Sequence, residues 1–140
     1  MIHVRTRHDY QGSPEQVWAI TKKFGDPTPF PEGVSLSGVR GHGVGSVRTV
    51  HLPDGERVTE RIEAIDEQNR TLRYTVEQTT LPFRNYHAMM RVVPHDDGSC
   101  EVQWTASFDA PAEAAEPLAA ETKAFFDAVL DKGAARFEKP

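Results

Sequence analysis

The chain carries one cysteine, Cys100. No disulfide can form within it, and oxidation does not dictate its compartment. No apolar run approaches the roughly 20 residues that a spanning helix needs. The opening MIHVRTRHDY alternates polar and apolar residues and lacks the apolar centre of a signal peptide, so the expected location is the cytoplasm. Lysine and arginine never gather into a block, and 16 of them face 21 acidic residues for a formal charge of −5. That balance argues against nucleic acid and anionic membrane as partners. The six histidines (His3, His8, His42, His51, His87, His95) are dispersed, with no HxH or HExxH spacing, so the expectation is no metal site and no cofactor. Cys100 shares a strand face with Val102 and Trp104 and has no fixed histidine partner, which leaves nucleophilic catalysis without support. The glycine loop GHGVGS joins two strands instead of opening a helix, so a phosphate-cradle reading fails on context.

What is present is a clear periodicity in 140 residues, the size of one domain, residues 1–140, with one core. IHVRTRHDY reads as an opening strand with Ile2, Val4 and Thr6 inward. Ser13, Pro14 and Gln16 then form a helix start signal, with serine capping and glutamine three residues on. GDPTPFPEGV has room for no more than a short irregular or helical turn. About six antiparallel strands follow, separated by glycine- and aspartate-rich turns. In VTERIEAID strict alternation puts Val58, Glu60, Ile62 and Ala64 on one face. Tyr86, Ala88, Met90 and Val92 share a face in a later strand, as do Cys100, Val102, Trp104, Ala106 and Phe108 in the last.

The final third is rich in Ala, Glu and Lys and has helical spacing. Leu118, Thr122, Phe125, Val129 and Gly133 form one stripe, with Phe126, Leu130 and Phe137 beside it. Pro117 falls in the first turn of this helix or interrupts it early. The order is α+β, and one helix covers only part of such a sheet. A curved sheet gripping the helix, with space between them, is the physical solution, and that space is the default ligand site.

The blocks SPEQVWAITKKFGDP, GVGSVRTV, TERIEAIDEQNRTLRY and RNYHAMMRV resemble the START/Bet v 1-like (SRPBCC) superfamily, which includes the polyketide cyclase/dehydrase-like proteins. They look especially like the plant abscisic-acid receptors and the bacterial homologues that share these blocks. The resemblance implies a helix-grip fold: about seven antiparallel strands curve around a long C-terminal helix, with two short helices after the first strand. It places Arg48, Glu60 and Tyr86 in the cavity. Val50, Ile62, Ala88 and Trp104 join them as expected ligand contacts, with Phe125, Val129 and Gly133 from the helix. The departures matter as much. Ser35 stands where the receptors have a pocket lysine, and Ala88, Trp104 and Gly133 replace other polar pocket groups. The latch region reads Leu81-Pro82-Phe83 and the gate loop shortens to Leu52-Pro53-Asp54-Gly55. Abscisic acid binding and a phosphatase partner are therefore not expected.

The residues themselves point the same way. With a turn centred on Asp54, Arg48 lies opposite Glu60 across a hairpin, on one face. The pair is either a structural cross-strand ion pair or a charged pair in a poorly solvated cavity. Burial raises a carboxylate's pKa and a nearby guanidinium lowers it, so the sequence leaves the direction open. In a catalytic reading, Glu60 is the general acid or base, Arg48 stabilises an enolate and Tyr86 donates a hydrogen bond. Gly133 costs about 1 kcal/mol relative to alanine inside a helix. Ligand space, close approach to the sheet, a kink or C-terminal fraying would each account for it. Three functions follow: binding of a small hydrophobic or amphipathic molecule, a polyketide cyclase/dehydrase-type reaction in the same cavity, or an interaction module using the outer sheet face. A homodimer through a strand edge or helix stays open.

Overall fold

The computed structural model describes residues 1–138. Its elements run β1 (Ile2–Tyr10), α1 (Pro14–Thr21), β2 (Ser35–Arg40), β3 (Val47–His51), β4 (Arg57–Asp66), β5 (Thr71–Thr79), β6 (Arg84–Pro94), β7 (Cys100–Asp109) and α2 (Ala112–Ala135). The seven strands form one antiparallel sheet in the order β1-β7-β6-β5-β4-β3-β2. The chain meanders from β2 to β7, and β1 then closes onto β7, so the two edge strands are β1 and β2. Alternation decides which side of each strand is dry. In β7 every second residue from Cys100 to Phe108 is buried, and in β6 Tyr86, Ala88 and Val92 are.

Two of the sheet's four register shifts set the inward rows of β4 and β6. The register of β4 against β5 slips between Ile62 and Ala64, which inserts Glu63 as an extra residue and turns the rest of the strand over. Ala64 is therefore exposed and Ile65, opposite Leu72, packs against the core instead. This corrects the strict alternation read from VTERIEAID. A second slip lies between Arg84 and His87. Asn85 adopts φ 52° there, a left-handed conformation that asparagine tolerates, and its amide donates to Asp109 Oδ2 at 3.0 Å. The inward row of β6 consequently begins at Tyr86.

The N-terminal helix starts as its sequence dictates. The Ser13 hydroxyl accepts from the Gln16 amide, and the Gln16 side chain accepts from the Ser13 amide. A second short helix does not form. Residues 22–34 run as successive turns because Pro27, Pro29 and Pro31 remove the amide donors a helix would use. This segment still delivers Phe24 and Phe30 to the core. The long helix α2 continues through Pro117, its sixth residue.

Three contacts fix how α2 lies on the sheet. Trp104 of β7 stacks on Phe126, with centroids 3.8 Å apart and planes 10° from parallel. The Tyr10 hydroxyl donates to the Leu130 carbonyl at 2.8 Å. His8 lies between Asp127 and Asp131, at 3.2 and 2.9 Å. Gly133 is explained by the second of these contacts: a Cβ there would collide with the Tyr10 hydroxyl. Close approach to the sheet selects glycine at that position. Among the described residues no helix is long and apolar enough to cross a membrane.

Candidate functional site

Neighbouring strands β3 and β4 build the charged part of the interior. Their register pairs Arg48 with Glu60 directly, and both side chains point to the concave face, where each residue is only 6% exposed. Arg48 Nε donates to Glu60 Oε1 at 2.7 Å, and its Nη1 donates to the Phe24 carbonyl at 3.0 Å. The guanidinium carbon sits 3.9 Å from the centre of the Phe24 ring, with Phe30 and Tyr74 farther out. The turn segment 22–34 thus caps the arginine with a carbonyl and two aromatic rings. Burial pushes the Glu60 pKa above the ordinary carboxylate value, and the Arg48 charge and hydrogen bond oppose that shift without reversing it.

Between this pair and α2 lies a cavity of about 400 Å³. Of the residues expected there, Arg48, Val50, Glu60, Tyr86, Trp104 and Phe125 line it. Trp104 is both wall and core. It stacks on Phe126, and its indole Nε1 donates to the Tyr74 hydroxyl at 3.0 Å. Tyr86 stacks on Phe108 at 5.7 Å and meets Phe83 at 5.0 Å. Burial and the nearby Glu60 push its phenol pKa far up, so the hydroxyl keeps its proton.

Four expected contacts fall elsewhere. Ile62 and Ala88 are buried in the core at 1% and 5% exposure and do not line the cavity. Val129 and Gly133 lie one to two helical turns beyond the cavity, beside Tyr10, Val102 and Phe137 in a much smaller crevice. The physical reason is the Tyr10–Leu130 contact, which docks the C-terminal half of α2 tightly on the sheet and leaves space only under its N-terminal half. Ser35 is exposed at the start of β2, opposite His51, and does not border the cavity.

Several lining residues were not anticipated. Leu52, Pro53 and Asp54 come from the β3–β4 turn, and Leu81 and Phe83 from the β5–β6 loop. Leu118, Glu121 and Thr122 come from the first half of α2. Leu118 and Thr122 shared a helical stripe with Phe125, a signal that could have found them. The loop residues carried no periodicity to read.

One histidine joins two carboxylates. The β1–β7 register puts Asp9 opposite Glu101, and the β6–β7 turn brings in His95, whose Nε2 lies 2.9 Å from Asp9 Oδ1. The donor atoms of these three side chains lie within 4.8 Å of one another, at the surface and away from the cavity. The Asp9 carboxylate raises the His95 pKa. Cys100 is fully buried, and burial pushes its thiol up to about 11. It makes an inert core residue, as its strand position suggested.

Comparison with known proteins agrees with this geometry. The protein XoxI from Bacillus cereus superposes with a TM-score of 0.85 at 24% identity, covering 98% of this chain and 96% of that one. A solution structure from Thermobifida fusca gives 0.82 at 30% identity, covering 98% and 93%. Norcoclaurine synthase from Thalictrum flavum gives 0.79 at 20% identity, covering 95% and 84%. Residues 1–139 match the family described as polyketide cyclase/dehydrase and lipid transport. The chain belongs to that family, within the START/Bet v 1-like superfamily that its sequence blocks resemble.

Proposed function

We propose that this protein binds a small, largely apolar molecule carrying a polar group, enclosed between the curved sheet and α2. The cavity carries the reading: about 400 Å³ with mostly apolar and aromatic walls and a single charged pair at depth. The lipid-transport half of the family description is in keeping with it. Apolar walls supply affinity in proportion to the ligand surface removed from water, and the few polar groups orient the ligand. Native mass spectrometry of freshly purified protein tests this directly, by the mass of any co-purified molecule. Thr122→Phe provides the control. Thr122 is buried and lines the cavity, so the added ring occupies ligand space. Binding of a hydrophobic reporter dye is expected to drop while far-UV circular dichroism is kept. Undiminished dye binding would place the ligand elsewhere.

A second reading, catalysis of the cyclase/dehydrase type, has one observation in its favour. Glu60 is a buried carboxylate with a raised pKa in the same cavity as a protonated phenol, Tyr86, an arrangement suited to moving a proton. In such a reaction Glu60 removes a proton from the carbon next to a carbonyl. The enolate carbon then bonds to a second carbonyl carbon of the same substrate. The resulting alkoxide takes the proton back from Glu60, and Tyr86 donates to the developing oxyanion. Glu60→Gln would abolish turnover of a polycarbonyl substrate and leave its binding within a few-fold. Unchanged turnover would sink the catalytic reading and leave the binding one standing.

A further inference from the structure

We propose that the cavity selects amphiphiles with a cationic head, such as an alkyl or aryl amine, over their carboxylate counterparts. This rests on the cavity being the ligand site and goes on to name the ligand's chemical class. Among the described residues the side chains lining it that carry formal charge are one guanidinium, Arg48, and three carboxylates, Asp54, Glu60 and Glu121. The guanidinium is already engaged by Glu60 at 2.7 Å and the Phe24 carbonyl at 3.0 Å, with the Phe24 ring against its face. A ligand carboxylate entering to reach Arg48 would set a second carboxylate beside Glu60, itself only 6% exposed, where like charges are poorly screened.

The other two carboxylates are exposed. Asp54 comes from the β3–β4 turn and Glu121 from α2, and neither forms an ion pair among the described residues. Among the described residues no lysine or histidine lines the cavity, and Arg48 is the one arginine that does. An ammonium group therefore meets uncompensated negative charge on entry, while its apolar body passes inward among Phe83, Trp104, Phe125 and Phe126. Aromatic faces favour a cation near them and penalise an anion. Arg48 repels an ammonium from the deep end, so the head stays outward at Asp54 and Glu121 and the tail points in.

The test is a matched series of octylamine, octanol and octanoate, titrated at pH 7 below their aggregation concentrations and followed by calorimetry and by the fluorescence of cavity-lining Trp104. Octylamine is expected to bind tightest and octanoate weakest. Neutralising the outer carboxylates in Asp54→Asn/Glu121→Gln is expected to cut the octylamine advantage over octanol, read as the ratio of the two affinities in each protein, by about fivefold to tenfold at low salt. Octanoate binding as tightly as octylamine, or an amine preference that survives the double substitution, would overturn the charge selection and leave the binding cavity intact. Failure of all three compounds to bind would overturn the cavity reading and this inference with it.

Discussion

Replacing Arg48 by methionine keeps an aliphatic stem of similar length and removes only the guanidinium. Glu60 would then be a carboxylate at 6% exposure whose hydrogen bond from Nε is lost. Breaking a buried ion pair on one side costs about 3–5 kcal/mol, because the remaining charge is neither hydrated nor paired. At this chain length 1 kcal/mol corresponds to about 3–4 °C in Tm, so a loss of about 9–20 °C is expected at neutral pH. Arg48→Met/Glu60→Leu should recover most of that loss, since an apolar pair of similar volume is often as stable as the ions it replaces. Acidity adds a second signature. Glu60 ionises less readily in the fold than in the unfolded chain, whose carboxylate titrates near 4.5. Its protonated form therefore stabilises the fold fully below that value, and the contribution fades as pH rises through the higher folded pKa. In Arg48→Met the folded pKa rises further, so the deficit against wild type should shrink steadily as the buffer is taken down toward pH 4.5. The assay is urea denaturation of the three proteins from pH 4.5 to 8. A single substitution that costs less than about 1 kcal/mol at pH 7 would refute the reasoning, because the pair would then be solvated and the cavity floor wet.

Gly133→Ala should destabilise the protein by about 1–3 kcal/mol despite alanine's better helix propensity, since the new Cβ displaces the Tyr10 hydroxyl from the Leu130 carbonyl. Adding Tyr10→Phe should recover part of that loss in denaturation midpoints, and failure to do so would mean the clash is not the cause. Cys100, with its thiol pushed up to about 11, should resist an aromatic disulfide reagent at pH 8 in the native state and react within seconds once unfolded. Rapid native labelling would show that the core opens readily. The imidazole of His95 should titrate above 6.5 by NMR because of Asp9, and Asp9→Asn should bring its midpoint down. An unchanged midpoint would mean that the pair does not persist in solution.

Much of this architecture is legible one residue at a time. The capping box at Ser13 and Gln16, the buried row of β7 and the Arg48–Glu60 pairing follow from local periodicity and turn position. Each depends only on neighbours along the strand or across one hairpin. Local order also sufficed to expect a sheet gripping one long helix, because a single amphipathic helix cannot cover seven strands. The reading failed where a feature depended on distant chain. The bulge at Glu63 turned Ala64 outward and Ile65 inward, and no alternation pattern announces an inserted residue that balances register against β5.

The helix α2 presented one apolar stripe, and the sequence reading assigned its Phe125, Val129 and Gly133 to the cavity. Its amphipathicity identified a buried side, but that side has two different neighbours. Tyr10, arriving from the opposite end of the chain, holds the Val129–Gly133 end tightly against the sheet, and only the Leu118–Phe125 end is left over open space. The pairing of Arg48 with Glu60 belongs to the sequence alone, since a short hairpin leaves it no other geometry. That the pair is dry, and that Asp54, Glu121, Leu81 and Phe83 gather around the same cavity, was decided by sheet curvature and helix docking. Those are long-range packing outcomes, set by volumes and contacts between segments that no local pattern records.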